Sequence, residues 1–332
     1  MNLTIKTDWT KNFPNAQMVL DCVIGAIVLI TFCQVAFVLS ATESSQLIEE
    51  GNNQLHIQNA TGALAKFDRA VLVAPYNGRA HLYRAIACSR LGQFDRAGQE
   101  LSAARAMGVP EELLVLLNAT NQCSKGDYAG GEMSARSLVD RGNNDPHVLL
   151  VLGTCQSRLG HDADAIKNLT QAIDLSNSSE VRANAFYERA LLEQKEKNQS
   201  AALADVGKSL GLNPKTSAYL LQADIFKGTK HFKEAIVVYT RVLAERPEDT
   251  SVLTARGICY ARIADREHAI RDFTRCLQID QNCLESYIQR GNVYMQQRRY
   301  KQALSDFQIA QKLSPTLVEV NRKLKIAESK LN

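Results

Sequence analysis

The sequence predicts an all-α solenoid of about eight stacked helix pairs, preceded by one apolar helix. Three observations support this fold class. A frame of 34 residues recurs eight times from Ser44 onward, two slots of that frame hold only small residues, and 20 residues without a formal charge precede the first frame. Fixed periods of about 20 to 50 residues are typical of repeat architectures, in which each unit packs on its neighbours.

Small residues occupy the eighth and twentieth slots of every frame. Slot eight contains Gly51, Ala85, Ala119, Gly153, Ala190, Ala223, Gly257 and Gly291. Slot twenty contains Ala63, Ala97, Gly131, Ala165, Ala202, Ala235, Ala269 and Ala303. Small residues twelve positions apart indicate two helices whose backbones approach closely where they cross. Slot 24 is mostly large and apolar, with Phe67, Leu101, Ala135, Leu169, Val206, Tyr239, Phe273 and Phe307.

Prolines and glycines mark the borders of the helices. Six of the seven prolines fall at or beside frame boundaries, where a proline ends one helix or starts the next. Gly92, Gly126, Gly160 and Gly228 lie at or near the predicted turn inside a frame. The eight predicted units are 44–77, 78–111, 112–145, 146–182, 183–215, 216–249, 250–283 and 284–317.

This pattern resembles the tetratricopeptide repeat family. The characteristic residues of the family appear in residues 284–317 as Tyr287, Gly291, Tyr294, Ala303, Phe307, Ala310 and Pro315. The resemblance covers residues 44–317 and is weakest in the third and fifth units. It implies a right-handed superhelix in which the first helix of each pair lines a concave face, and it implies that the chain binds other proteins.

One variant of the family, which clamps the C-terminal carboxylate of chaperones, does not match. That variant uses a Lys at slot five and an Asn at slot nine, followed by an Asn at slot six of the next unit. Ile48 and Ile288 occupy slot five here, and Tyr83 occupies slot six after Asn52. A cochaperone function is therefore not expected.

The apolar run at residues 22–41 is long enough to cross a bilayer as a helix. We therefore expect a tail at 1–16 and a transmembrane signal-anchor at 17–41. A cleaved signal peptide is the alternative, with a cleavage site at residues 38–40, although the run exceeds the usual core of about 7–15 residues.

Few charges determine the predicted orientation of this span. Lys6 and Lys11 precede it, and the next basic residue is Lys66. The positive-inside rule thus predicts a cytoplasmic N-terminus and extracytoplasmic repeats. The alternatives are repeats in the cytoplasm, or export after cleavage of the signal.

The two ends of the repeat region have their own predicted features. Thr42, Ser44 or Ser45 is expected to cap the first repeat helix, which leaves a short link to the span. Residues 318–332 are expected to form a capping helix with a polar outer face. The apolar stripe of that helix contains Leu317, Val320, Leu324, Ala327 and Leu331.

Catalytic motifs are missing from the sequence. It contains no phosphate-binding G-x-x-x-x-G-K-[ST], no H-E-x-x-H, no G-x-S-x-G and no pair of C-x-x-C elements. No two of the six histidines share i, i+4 spacing, so no metal site is expected. Asp205, Asp272 and Asp306 are expected on the solvated edge of second helices. The sequence therefore predicts a protein that is not an enzyme and has no cofactor.

Charge and cysteine content exclude further classes. The net charge of +4 comes with no basic run, so nucleic acid is not an expected partner. Six of the eight cysteines lie in the repeats without the pattern of a disulfide framework. They are expected to be small buried side chains.

The remaining candidate site is the concave groove. Slots two, five, nine and twelve to thirteen share one face of a first helix. The predicted partner-binding residues are Arg79, Leu82, Ile86, Arg90, Leu116, Leu150, Arg158, Tyr187, Leu191, Lys195, Lys227, Ile258 and Arg262. Across the whole groove these slots hold six cations and two anions, Asp224 and Glu285.

Our hypothesis from this composition is a membrane-anchored, non-catalytic scaffold that binds an apolar and acidic segment of a protein partner. Arginine suits that role because its planar fork pairs bidentately with carboxylates. Two alternatives stay open. In the first, the cations only line the face while its leucines pack between units. In the second, the protein is a structural, self-associating homo-oligomer in the membrane.

Overall fold

The computed structural model describes residues 16–331. Before Val38 it describes side chains only at Ala26, Ile30, Thr31 and Gln34. The described residues form 17 α-helices and no β-strand. The chain divides into two compact units, with unit 1 ending at Asn143 and unit 2 beginning at Asn144.

Eight consecutive helix pairs and one last helix make up the two units. Unit 1 contains α1 (Ala16–His56), α2 (Ala60–Val73), α3 (Gly78–Arg90), α4 (Phe94–Ala106), α5 (Glu111–Lys125) and α6 (Tyr128–Asp140). Unit 2 contains α7 (Pro146–Leu159), α8 (Asp162–Leu175), α9 (Ser179–Lys195), α10 (Gln199–Leu212), α11 (Thr216–Gly228), α12 (Phe232–Glu245), α13 (Thr250–Arg262), α14 (Arg266–Ile279), α15 (Leu284–Gln296), α16 (Tyr300–Leu313) and α17 (Val318–Ser329). The predicted all-α fold of helix pairs is confirmed.

Close approach of paired helices explains the small residues. A Cβ atom added to Gly257 would lie 2.7 Å from Cε1 of Phe273, and one added to Gly291 would lie 2.6 Å from Cε1 of Phe307. These aromatic residues occupy slot 24 and are fully buried. Slot eight therefore receives the ring of slot 24 from the partner helix, and a larger residue there would displace that ring.

The turn inside each pair has a left-handed residue at slot fifteen. This residue is glycine in three pairs, at Gly92, Gly126 and Gly160. In the other five pairs the residue is Gln58, Lys197, Lys230, Ala264 or Arg298, with φ between 59° and 64°. The residue after it donates its backbone N–H to a carbonyl five positions earlier, as Gln93 does to Cys88 at 2.9 Å. This is a Schellman arrangement, which ends the first helix and turns the chain back.

The first helix differs from its expected form. Helix α1 runs without a break through residues 42–45, so no helix begins there. Thr42 and Ser45 donate their hydroxyls to the carbonyls of Val38 and Ala41, both at 2.9 Å. Ser44 instead donates to the Ala70 carbonyl at 3.1 Å. The expected cap at Thr42, Ser44 or Ser45 is wrong, because these hydroxyls bond to carbonyls and not to free N–H groups.

In the part of the chain that the structure describes, none of the helices combines the length and apolarity needed to span a membrane. The predicted span at residues 22–41 lies along α1, and most of its side chains fall outside the described residues.

The last helix covers the end of unit 2. Val320, Leu324 and Ala327 of α17 are buried against the eighth pair, where Val320 packs near Tyr287 and Leu324 near Tyr294. Leu331 lies beyond the end of α17 and is exposed. The capping role is thus met by three of the predicted residues, together with half-buried Leu317.

Candidate protein-binding face

The first helices of neighbouring pairs lie closer together than the second helices do. In unit 2, α7 contacts α9, α9 contacts α11, and α13 contacts α15. In unit 1, α1 contacts α3 and α3 contacts α5. Among the described residues no two second helices contact each other as extensively. The first helices therefore line the inner side of each unit, and we call this side the first-helix face.

Apolar side chains on this face are only half-buried. Leu150 of α7, Tyr187 and Leu191 of α9, and Ile258 of α13 keep part of their surface exposed in unit 2. Tyr187 and Leu191 rest on the buried cluster that contains Ala190 and Val206. In unit 1, Ile86 and Leu116 are half-buried in the same way. These residues therefore keep part of their apolar surface accessible to solvent.

Leu82 does not belong to this surface. Its side chain is only 6% exposed and packs with Ala85, Leu101, Ala104 and Leu114 in the core of unit 1. Slot five of this pair faces the next pair of helices, so the structure places Leu82 in the core, and its predicted contact with a partner stays a prediction that this burial disfavours. Ile48 and Ile288, at the same slot in other pairs, are equally buried.

Most predicted cations of unit 2 already have a carboxylate partner. The Nη2 atom of Arg158 lies 3.0 Å from Oε2 of Glu188. The Nζ atom of Lys195 lies 2.6 Å from Oδ2 of Asp162. Neither Glu188 nor Asp162 occupies a groove slot, so the six cations and two anions of those slots do not include them. The positive surplus of the face is therefore smaller than the sequence indicates.

Lys227 belongs to a small network on the same face. Its Nζ atom lies 2.8 Å from Oδ1 of Asp224, and the hydroxyl of buried Tyr239 donates to the same oxygen at 2.6 Å. Burial and the bond to Asp224 raise the pKa of Tyr239 far above its usual value, so the phenol remains a donor. Asp224 is consequently a carboxylate held in a fixed position.

Three predicted cations make no ion pair in the described part of the chain. Arg79 and Arg262 are exposed at opposite ends of first helices. Arg90 donates one hydrogen bond, to the Leu55 carbonyl at 3.3 Å. The positive charge of these three guanidinium groups is thus not neutralised by a carboxylate within ion-pair distance in this part of the chain.

Glu188 lies under this face in an unfavourable environment for a charge. Its side chain is 14% exposed. Burial raises the pKa of Glu188, and the charge and hydrogen bond of Arg158 only partly oppose that effect. Burial together with the neighbouring Glu188 charge also raises the pKa of Tyr187. Arg158 is therefore needed to stabilise a buried carboxylate, which makes it a weak candidate for pairing with a partner.

The aspartates expected at the solvated edge are instead buried. Asp205, Asp272 and Asp306 are each 3–4% exposed, and each forms a bidentate ion pair with an arginine sixteen residues earlier. The pairs are Arg189 with Asp205, Arg256 with Asp272, and Arg290 with Asp306. The expectation is wrong because slots seven and 23 face each other inside a helix pair. The signal was present in the sequence, since an arginine stands at slot seven in each of these units.

Each of these arginines also reaches the preceding helix pair. Arg256 donates from Nη1 to Thr240 at 3.0 Å, and Arg290 donates to Thr274 at 3.0 Å. Arg189 makes the equivalent bond to Thr170 at 2.9 Å. One guanidinium thus joins both helices of its own pair to the second helix of the pair before it. These charges hold the stack together, and their positions do not suggest a catalytic pair.

A related pair occurs in unit 1. Arg84 donates from Nη2 to both carboxylate oxygens of Glu100, at 2.6 and 2.7 Å. His81 lies 2.8 Å from Glu100 through Nδ1 and 3.0 Å from the Pro75 carbonyl through Nε2. His81 is thereby a structural residue. Across the described residues, no three His, Cys, Asp or Glu side chains group in a way that suits a metal ion.

Comparison with known proteins identifies the repeat. Tetratricopeptide repeat families match residues 48–109 and 284–317. Tetratricopeptide repeat protein 6 of Homo sapiens is 30% identical over 162 residues, which is 47% of this chain and 31% of that protein. The Hsp70-Hsp90 organizing protein of Triticum aestivum is 26% identical over 97 residues, which is 29% of this chain and 16% of that protein. The chain thus spans less than a third of the length of these two relatives.

A solved structure has a similar fold. The crystal structure of YrrB, a TPR protein with an unusual peptide-binding site, superimposes with a TM-score of 0.52 at 16% identity. The alignment covers 57% of this chain and 97% of that chain. At this level of identity the similarity is one of fold alone.

Proposed function

We propose that this tetratricopeptide-repeat chain is a non-catalytic scaffold that binds an apolar and acidic segment of a protein partner on its first-helix face. Proteins built from these repeats generally mediate protein–protein interactions. The observation that carries the proposal is the set of half-buried apolar residues Leu150, Tyr187, Leu191 and Ile258 on the inner side of unit 2. An inner surface of this kind favours an elongated ligand that contacts several helices.

The ion pairs on the first-helix face indicate which contacts the proposed partner would use. Because Arg158, Lys195 and Lys227 already neutralise carboxylates, the partner gains little by approaching them. Apolar contacts therefore supply most of the affinity. Acidic groups of the partner are expected near the unpaired guanidinium groups of Arg262 in unit 2 and Arg79 in unit 1.

The test is affinity purification of the full-length protein from gently solubilised membranes, with wild type compared with Arg262→Glu and Arg79→Glu. Arg158→Glu is a poor choice, because it would place a second carboxylate beside buried Glu188. The matched control is Arg271→Glu, which reverses an exposed arginine on the second helix α14. A partner that is lost with the first-helix variants and retained with Arg271→Glu supports the proposal.

A second pair of variants tests the apolar contacts. Leu150→Ser removes apolar surface from the first-helix face, and Val237→Ser does the same on the second helix α12, where Val237 is 69% exposed. We expect only Leu150→Ser to reduce recovery of the partner, with helical content checked by circular dichroism. Equal effects of the two variants would contradict the assignment of the face. Recovery of only further copies of the chain would favour a self-associating protein, which light scattering on the full-length protein measures.

We further propose that residues 22–41 anchor this scaffold in a membrane, with the N-terminus cytoplasmic. The support is the charge-free apolar run and the basic residues before it. The unbroken helix α1 would then join the anchor directly to the first repeat. We expect the protein to stay with the membrane during alkaline extraction. In sealed vesicles whose cytoplasmic side faces outward, we expect the repeats to be protected from added protease. Release of the protein by alkali would exclude the anchor. Digestion of the repeats would show that they lie on the cytoplasmic side of the membrane.

A further inference from the structure

Two thiols and two hydroxyls meet in the interior of unit 2, between α13, α14 and α15. The Oγ1 atom of Thr254 lies 3.3 Å from Sγ of Cys276, 3.8 Å from Sγ of Cys283 and 2.8 Å from Oγ of Ser286. The Sγ atom of Cys283 lies 3.3 Å from Oγ of Ser286. We call these four residues the thiol cluster. It brings together two sulfurs that belong to different helix pairs.

The two cysteines of the thiol cluster differ in access and in backbone setting. Cys276 is fully buried near the end of α14. Cys283 is half-buried and is the residue directly before α15, at the positive end of the helix dipole. A small oxidant in solvent therefore reaches Cys283 first.

The contacts favour ionisation of Cys283 and disfavour ionisation of Cys276. Burial opposes a thiolate at Cys283, but the hydrogen-bonding groups of Ser286, Cys276 and Thr254 around its sulfur outweigh burial and lower its pKa. Burial raises the pKa of Cys276. Both sulfurs lie beside the same Thr254 hydroxyl, at 3.3 Å for Cys276 and 3.8 Å for Cys283, so the two thiols are neighbours where α14 meets α15.

Cys88 and Cys259, which lie within first helices, have a different environment. Burial raises the pKa of Cys88 in unit 1, and it raises that of Cys259 in unit 2 to about 11. Both side chains are fully buried. They remain protonated thiols without solvent access, which makes them internal controls for the reactivity of Cys283.

We propose that Cys283 and Cys276 form an oxidation site that reacts with hydrogen peroxide and closes to a disulfide between α14 and α15. In the first step the Cys283 thiolate attacks one peroxide oxygen, the O–O bond breaks, and hydroxide leaves and takes a proton to become water. Cys283 is then a sulfenic acid. In the second step the Cys276 sulfur attacks the Cys283 sulfur, the S–O bond breaks, and the hydroxyl leaves with the Cys276 proton as water. One peroxide is reduced and two thiols are oxidised.

The disulfide would fasten the seventh helix pair to the eighth. In the reduced protein these pairs are already joined by Thr254 and Ser286 across the same contact. The covalent bond closes only a short loop, residues 276–283, so its main effect is to restrict movement between α14 and α15. The site does not depend on which partner the first-helix face binds.

The test exposes the full-length protein to less than one equivalent of hydrogen peroxide, blocks the remaining thiols by alkylation, and maps the peptides by mass spectrometry. We expect a peptide pair linked through Cys276 and Cys283 before Cys88, Cys259 or half-buried Cys123 loses its alkylation. In Cys276→Ser the reaction should stop at the sulfenic acid of Cys283, which dimedone traps. Cys259→Ser is the matched control and should leave the rate and the product unchanged.

A further variant separates local chemistry from simple exposure. Ser286→Ala removes the hydroxyl that hydrogen-bonds with the Cys283 thiol and should slow oxidation of Cys283 several-fold. Thermal unfolding by circular dichroism reports whether the fold persists. The proposal is overturned if Cys283 is oxidised no faster than Cys123 in the folded wild type. Dimedone labelling of Cys283 in the wild type without any link to Cys276 would equally overturn the disulfide.

Discussion

The buried ion pair between Arg256 and Asp272 predicts a large loss of stability for Asp272→Ala. Nε and Nη2 of Arg256 donate to the two carboxylate oxygens at 2.8 and 2.7 Å. The side chains are only 17% and 6% exposed. Each charge-assisted hydrogen bond contributes about 1.5–3 kcal/mol. Removal of the carboxylate also leaves a buried guanidinium without a charge partner, so we expect a loss of about 3–5 kcal/mol in the free energy of unfolding.

Two controls distinguish this effect from a general cost of removing an acid. Glu248 pairs with Arg275 at 3.4 Å, and these side chains are 71% and 49% exposed. Glu248→Ala should therefore cost less than about 1 kcal/mol. The double variant Arg256→Met/Asp272→Leu leaves no buried charge and should recover most of the stability lost in Asp272→Ala.

Urea unfolding followed by helical circular dichroism measures these differences. Because long repeat arrays can unfold in parts, amide hydrogen exchange in α13 and α14 should accompany it. We expect exchange to accelerate in these two helices in Asp272→Ala and much less in Glu248→Ala. Equal costs for the two single variants would refute the reasoning, and so would a double variant that is no more stable than Asp272→Ala.

Three further predictions concern stability. Gly257→Ala should lower the melting temperature and reduce the free energy of unfolding by about 1–3 kcal/mol, because its Cβ would displace the Phe273 ring. Gly207→Ala is the matched control. It should raise the free energy of unfolding by up to about 1 kcal/mol, since no neighbouring element lies within 4 Å of its Cβ and helices favour alanine. Ala264→Gly should stabilise by about 1 kcal/mol in thermal unfolding, because φ is 62° at that position, and a loss would contradict the strain. The raised pKa of Glu188 predicts that the free energy of unfolding falls as pH rises from the usual value of 4.5 through the folded value, since the unfolded state loses its proton first. Glu188→Gln should flatten that slope, and an unchanged slope in urea titrations would exclude Glu188 as its source.

The charge pattern of the first-helix face bears on selectivity. On this face Arg158, Lys195 and Lys227 are paired with local carboxylates, while the apolar side chains between them keep part of their surface exposed. A partner that must break the Arg158–Glu188 pair would leave Glu188 buried and unpaired, which is costly. Partners are therefore expected to dock between the ion pairs and not on them. This makes Leu191 and Ile258 better targets for mutation than Arg158.

The repeat, the helix pairs and most of the core follow from the amino-acid pattern. A period of 34 residues with small side chains at slots eight and twenty can be met only where two helices cross closely, and slot 24 fills the space opposite. Gly126 and Gly160 could likewise be placed in turns, because a positive φ favours glycine. These features depend on local backbone geometry and repeat in every unit, so sequence patterns carry them.

Tertiary structure alone decided the state of the charged residues. Arg256 and Asp272 are sixteen positions apart and look like two solvated side chains until the crossing of α13 and α14 places them face to face. The neutralisation of Lys195 by Asp162 likewise depends on a contact between two helix pairs. Cys276 and Cys283 likewise lie beside one hydroxyl, that of Thr254, only because α13, α14 and α15 pack together. The repeat period shows that arginine at slot seven and aspartate at slot 23 recur together, but the charge and reactivity of a side chain depend on distances of a few ångström between elements, which only the packed helices set.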